Sequence, residues 1–276
     1  LDTYHGNLRK IWQILKEIIQ KQKSKSLISK AFIINGQETT NPDDIANGFN
    51  DFFVNVGPAL ANKIHPTTNH YKNYMPNRNI PSFFLTPANE VEVYNIISNL
   101  NESSPGWDDI SPKVLKYIKN EVLTPITHIC NLSFQSGIVP IEIKLAKVIP
   151  VFKSGDCKRC TNYRPISVLN VLSKIYERLF YDRLILFLNL NECLYKYQFG
   201  FRKSHSTELA MICFLYRITS AIENNEFTIS MFLDLSKAFD TVNHKILIDK
   251  LQYYGIRGLP LQWLTSYLTN REQYVQ

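Results

Sequence analysis

The chain lacks several features that assign a function quickly. No run of about 18 apolar residues occurs in its 276 residues, so no membrane-spanning helix is visible. The amino end, "LDTYHGNLRK", has no apolar signal core and opens on Leu1 rather than Met, which leads us to expect a fragment or a processed chain. No Gly-rich phosphate loop of the G-x4-G-K-[ST] type is present, and none of the six histidines stands in a recognised nucleophile motif. P-loop and hydrolase chemistry are therefore disfavoured. Five cysteines, an odd number scattered over a long chain, do not make a disulfide framework, and a reducing compartment is expected. Cys157 and Cys160 have the C-x2-C spacing of half a zinc site, but the other half is missing. Internal repeats and low-complexity tracts are absent.

What is present is a large apolar inventory and an uneven charge. Hydrophobic residues make up 45% of the chain, with 15 tyrosines and 16 phenylalanines, enough for one large domain or two smaller ones. The formal charge of +7 is concentrated. Residues 144–203 carry twelve Lys/Arg against four acids, interleaved with Phe152, Tyr163, Tyr197, Phe199 and Phe201. Such interleaving is the footprint of nucleic-acid binding. Residues 1–30 carry seven Lys/Arg against two acids, for which a solvated helix face is the simpler reading.

The apolar spacing predicts an amphipathic helix through Leu8, Ile11, Trp12, Leu15, Ile18 and Ile19. A second helix is predicted near "DDIANGFNDFFVNVGPALANKI", then a linker over 65–82. "TPANEVEVYNIISNL" reads as a helix capped by Thr86 with Pro87 in its first turn. Asp108 and Asp109 follow a Pro-Gly turn and read as turn residues. "AKVIPVF" and "YRPISVL" read as a hairpin with a basic tip, both strands edge-like because of Pro150 and Pro165. Helices follow, and "FTISMFLDL" reads as a strand covered on both faces.

That strand carries Asp234. A carboxylate in an apolar strand is costly unless compensated, and it holds a divalent metal rigidly if one binds there. A helix-capping role is an equal alternative from this stretch alone.

The blocks "SSPGWDDISPKVLK", "AKVIPVFKSGD", "NYRPISVLNVLSKIYERL", "YQFGFRKSHSTELAM" and "MFLDLSKAFDTVNH" resemble, in order and rough spacing, reverse transcriptases of non-LTR (LINE-type) retrotransposons, most of all the jockey-like group. "PDDIANGFNDFFVNVGPAL" resembles the connector preceding the polymerase in such elements. The resemblance implies an α+β right-hand polymerase fold: a helical connector over 1–82, then fingers and the first part of a palm over 83–276. It implies Asp234 as a catalytic, metal-binding aspartate, with the Leu235 carbonyl beside it and Phe239 as the gate under the incoming sugar. Lys153 and Arg164 would bind the triphosphate, with Asn162, Tyr163 and Pro165 in support. Gln198, Gly200, Phe201 and Arg202 would lie close to template and primer. Implied partners are an RNA template, a DNA primer or target and dNTPs, with two Mg2+ ions as cofactor and no membrane; nucleus and cytoplasm both fit. The family's later "GxPQGxxLSP"-like block and its aromatic-Ala-Asp-Asp box do not follow, so a carboxy-terminally truncated enzyme without the catalytic hairpin and thumb is expected. The alternative is a non-catalytic nucleic-acid-binding remnant of such an element.

Overall fold

Capping side chains set most helix ends in the computed structural model, which describes residues 31–64, 70–75, 79–235 and 237–276. The amphipathic stretch Leu8 to Ile19 lies outside them. Helix α1 (Pro42–Ala61) begins where Asn41 Oδ1 accepts from the Asp43 N–H, and Asp43 and Asp44 favour the positive end of its dipole. Asn89 caps α2 (Glu90–Ser98), and Ser111 caps α3 (Pro112–Tyr117). Helix α4 (Lys119–Ser136) stops at Gly137, whose φ of 68° is left-handed. Asn170, Ser206 and Asn243 cap α5 (Val171–Leu190), α6 (Thr207–Glu223) and α7 (His244–Tyr253). Pro260 opens α8 (Leu259–Leu268).

Strands β1 (Phe32–Ile34) and β2 (Gln37–Thr39) pair antiparallel, with Phe32 opposite Thr39. Asn35-Gly36 turns between them with both φ values positive, the geometry a two-residue hairpin demands. A three-stranded sheet has the order β4 (Tyr163–Val168), β3 (Leu145–Phe152), β5 (Glu272–Val275).

The chain divides into two compact units. The first comprises residues 31–53, Val148–Ile166 and Val275–Gln276. Its core is Phe32, Phe49, Phe53, Val148 and Tyr163, with the Phe49 ring edge-on to Phe32 at 5.2 Å and to Tyr163 at 5.0 Å. The second unit, Val54–Lys147 and Ser167–Tyr274, packs α2, α4, α5, α7 and α8 around Trp263. That ring stacks on Phe180 at 4.5 Å and on Tyr267 at 5.7 Å, while its Nε1 donates to Ser133 Oγ at 2.9 Å. Among the described residues no helix is long and apolar enough to cross a membrane.

Three local expectations are corrected. The helix expected from Thr86 starts at Glu90, because the backbone of 86–88 is engaged elsewhere. Asn131 pairs with both the N–H and the carbonyl of Ala88, and Arg183 donates to the carbonyls of Thr86 and Pro87. Pro150 lies in the middle strand rather than at an edge, since the polar strand β5 pairs beyond β3. Residues 226–235 form no strand: Phe227, Ile229, Met231, Phe232, Leu233 and Leu235 are exposed, and Asp234 with them. A strand exists only where a neighbour completes its hydrogen-bond ladder, and none of the described strands does so here.

Candidate nucleotide and nucleic-acid interface

In the first unit the sequence builds a stiff, open hairpin tip. The Lys153 N–H donates to the Asn162 carbonyl at 2.8 Å, closing the tip just beyond β3. Asn162 Nδ2 donates to the Asp156 carbonyl at 2.8 Å, and the Tyr163 hydroxyl to the Cys157 carbonyl at 2.8 Å. Gly155, at φ +92°, brings the turn against the Asn162 amide, where a Cβ would lie 2.9 Å from Nδ2. Asn162 and Tyr163 therefore shape the tip.

The cations of this hairpin fall into two groups. Lys158 is held by Glu38 at 2.7 Å, which raises its pKa, and Arg159 by Asp156 at 3.4 Å. Lys153 and Arg164 are exposed and have no ion-pair partner among the described residues. They remain free to meet an anion. Cys157 and Cys160 are free thiols, the latter with its pKa raised by burial, and no third ligand for zinc joins them among the described residues.

In the second unit the loop between α5 and α6 folds back on the Tyr195 carbonyl, which accepts from the Gln198 N–H at 3.0 Å and Arg202 Nη1 at 3.2 Å. Gln198 Nε2 donates to the Gly200 carbonyl at 3.2 Å. Phe201, at φ 59°, projects an exposed ring whose centroid lies 5.7 Å from that of Phe239, edge to face. Two residues separated by 38 positions, one from each of two sequence blocks, thus form one aromatic contact. Asp234 stands alone in its exposed segment. Among the described residues no group of three or more His, Cys, Asp or Glu side chains is placed to hold a metal, so the donors present do not fit a two-ion site.

Residues 151–276 match the family described as reverse transcriptase (RNA-dependent DNA polymerase). The chain carries a LINE-type reverse transcriptase domain. It is 29% identical over 221 residues to a probable RNA-directed DNA polymerase from transposon BS of Drosophila melanogaster, covering 76% of this chain and 24% of that protein. It is 31% identical over 195 residues to the corresponding protein of the X-element in the same organism, covering 68% of this chain and 21% of that one. With the RNA-directed DNA polymerase of the mobile element jockey, also from Drosophila melanogaster, identity is 33% over 161 residues, 58% of this chain and 18% of the relative. The chain therefore spans about a quarter or less of the length of these relatives. The family generally works with divalent metal ions.

Several residues of the reverse transcriptase domain and its approach acquire roles that sequence reasoning missed. Gly57, inside α1, faces the turn that carries Asp240: a Cβ there would lie 2.2 Å from the Asp240 carbonyl oxygen. Its signal was a glycine inside a helical pattern. Gly106 approaches the backbone of Asn170, and Trp107 Nε1 donates to the Glu142 carbonyl at 2.9 Å, so the "PGWDD" block is a packing device. Asp108 Oδ1 accepts from the Ile110 N–H at 3.3 Å, a turn role as expected. The basic block is also thinner than its sequence count. Arg183 binds Glu92 through both terminal nitrogens at 2.6 and 2.8 Å, Arg178 is paired with Asp182 at 2.9 Å, and Lys144 is buried.

Proposed function

We propose that this chain is part of an RNA-directed DNA polymerase that adds dNTPs to a primer 3′-hydroxyl along an RNA template. The observation that carries the reading is the family match over residues 151–276, which includes Lys153, Arg164, the Gln198–Arg202 loop and the Asp234–Phe239 segment. In this reading residues 1–82 are a connector, which among the described residues holds the β1–β2 hairpin as well as α1, and 83–276 are fingers with the first part of a palm. Lys153 and Arg164 neutralise the triphosphate, a role supported by their exposure beside paired neighbours. Phe239 excludes a 2′-hydroxyl by bulk, and its edge contact with Phe201 holds the ring in place. Gln198, Gly200, Phe201 and Arg202 face template and primer. Asp234 and the Leu235 carbonyl would be ligands for Mg2+, but two ions need further donors, and the roles derived for this chain stop at binding and positioning.

A photoreactive dNTP added to the chain with a primer–template tests the assignment without requiring turnover. Lys153→Ala and Arg164→Ala are expected to lose nucleotide crosslinking while primer–template affinity stays within about twofold, since each removes one charge among several phosphate contacts. Undiminished crosslinking in both variants would refute the triphosphate roles. A second reading, nucleic-acid binding without synthesis, is favoured by the isolation of the Asp234 carboxylate. Primer extension separates the two: residues 1–276 with Mg2+ and dNTPs are expected to bind primer–template and extend nothing. Extension by this chain would show that Asp234 finds its co-ligands after all.

A further inference from the structure

The loop that holds Gln198 and Arg202 also walls a cleft of about 690 Å³, within the size range of ligand sites. Its lining includes Asn189, Tyr195, Lys196, Arg202 and Tyr254, with Glu192 its one carboxylate. Of its lining, only Arg202 has a substrate role above. Two features suit it to one kind of ligand.

The first is a fixed aromatic face. The Tyr195 ring is 67% exposed, yet it does not hang free. Its own carbonyl is anchored by Gln198 and Arg202, and its ring meets Tyr197 edge-on at 5.6 Å and 69°. Tyr197 is in turn gripped by Arg217, whose Cζ lies 4.5 Å from the ring centroid, and by Lys196 Nζ at 4.9 Å. The Arg217 contact also lowers the Tyr197 pKa through a side-chain hydrogen bond. An exposed ring braced in this way loses little entropy when a planar group stacks on it. The second feature is charge. Lys196 and Arg202 both line the cleft, and neither has a carboxylate ion-pair partner among the described residues. Arg202 spends one nitrogen on the Tyr195 carbonyl and keeps the rest of its fork for an anion. A flat π-face beside two cations that outnumber the single carboxylate of the cleft, Lys196 sharing its charge with the Tyr197 ring, matches a nucleotide, base and phosphate together. A base can reach the ring only if it is unpaired.

We propose that this cleft seats one unpaired nucleotide of a single-stranded RNA or DNA segment, its base stacked on Tyr195 and its phosphate held by Lys196 and Arg202. The inference rests on the reading of the chain as a nucleic-acid-binding polymerase part, and it adds a stacking residue outside the blocks that carried the resemblance.

The test uses residues 1–276 and a single-stranded RNA oligonucleotide containing 2-aminopurine. Wild-type binding is expected to quench the probe through stacking. Tyr195→Ala and Tyr195→Leu, at an exposed position and checked for folding by circular dichroism, are expected to abolish the quench and weaken binding roughly 5- to 100-fold, the range of one base–aromatic stack. Tyr195→Phe keeps the ring and should bind within about twofold of wild type. Blunt duplex should bind Tyr195→Ala and wild type alike. Equal oligonucleotide affinity and equal quench in wild type and Tyr195→Ala would overturn this inference and leave the polymerase reading standing. Displacement by polyglutamate combined with indifference to Tyr195→Ala would mark the cleft as a mere patch of charge and overturn it likewise. Absence of any oligonucleotide binding by the wild type would overturn both.

Discussion

Individual residues show how tightly the elements are fitted, and glycines give the sharpest contrast. In a helix interior, Gly→Ala ordinarily stabilises by roughly 1 kcal/mol. At Gly57 the added methyl would meet the Asp240 carbonyl at 2.2 Å, a backbone atom that cannot swing aside. Gly57→Ala is therefore expected to destabilise by about 1 to 3 kcal/mol, the range of overpacking, whereas Gly200→Ala, with nothing within 4 Å, should leave urea unfolding unchanged. A buried thiol gives a second residue-scale expectation. Burial raises the Cys130 pKa from 9.0 to about 12, and it raises that of the neighbouring Tyr176 in the same direction. The native state keeps these protons at a pH where the unfolded chain has released them. Their stabilisation is thus complete below the unfolded thiol value of 9.0 and is lost as pH rises toward about 12. Urea midpoints should fall over that interval, and Cys130→Ala, though less stable at neutral pH, should show a shallower fall. A midpoint independent of pH there would contradict the burial.

At the scale of elements, helices α2, α4 and α5 are joined by polar ties as well as by apolar packing. Arg183 on α5 reaches Glu92 on α2 and the carbonyls of Thr86 and Pro87, while Asn131 on α4 holds Ala88. The Arg183 side chain is only 12% exposed and Glu92 28%, so removing one partner strands a largely desolvated charge. Arg183→Met is expected to cost about 3 to 5 kcal/mol, more than the double variant Arg183→Met with Glu92→Leu, which removes both charges. A double-mutant cycle in urea measures the difference; additivity would mean the pair is not coupled. The same ties decided where α2 begins. Thr86-Pro87 is a sound local start signal, but a backbone already engaged by Arg183 and Asn131 cannot also turn into a helix.

For the whole molecule, the formal charge of +7 overstates what a nucleic acid would meet. Arg178, Arg183 and Lys158 are paired, and Lys144 is buried, whereas Lys153, Arg164, Lys196 and Arg202 have no carboxylate partner among the described residues. Salt dependence separates the two sets. For single-stranded RNA, Lys196→Ala should reduce the slope of log affinity against log salt by roughly 0.7, the share of one phosphate contact, and Arg178→Ala should leave it unchanged. Equal slopes for both would mean that pairing does not govern access. Local signals in the sequence determined the helix ends at Ser111, Asn170, Ser206 and Asn243, the basic hairpin tip and the ordered blocks of the reverse transcriptase domain, because a cap or a turn acts within a few residues. The Asn35-Gly36 hairpin carried a local signal of the same kind, which the sequence reading missed. Tertiary structure alone decided which cations are open, that Phe201 meets Phe239, that Gly57 must lack a side chain, and that the apolar segment ending at Asp234 is exposed rather than paired. Each of these depends on atoms far away in sequence: a carboxylate for a cation, a ring for a ring, a neighbouring ladder for a strand. An apolar run can mark residues 227–235 as able to form a strand, but only a partner's hydrogen bonds make it one.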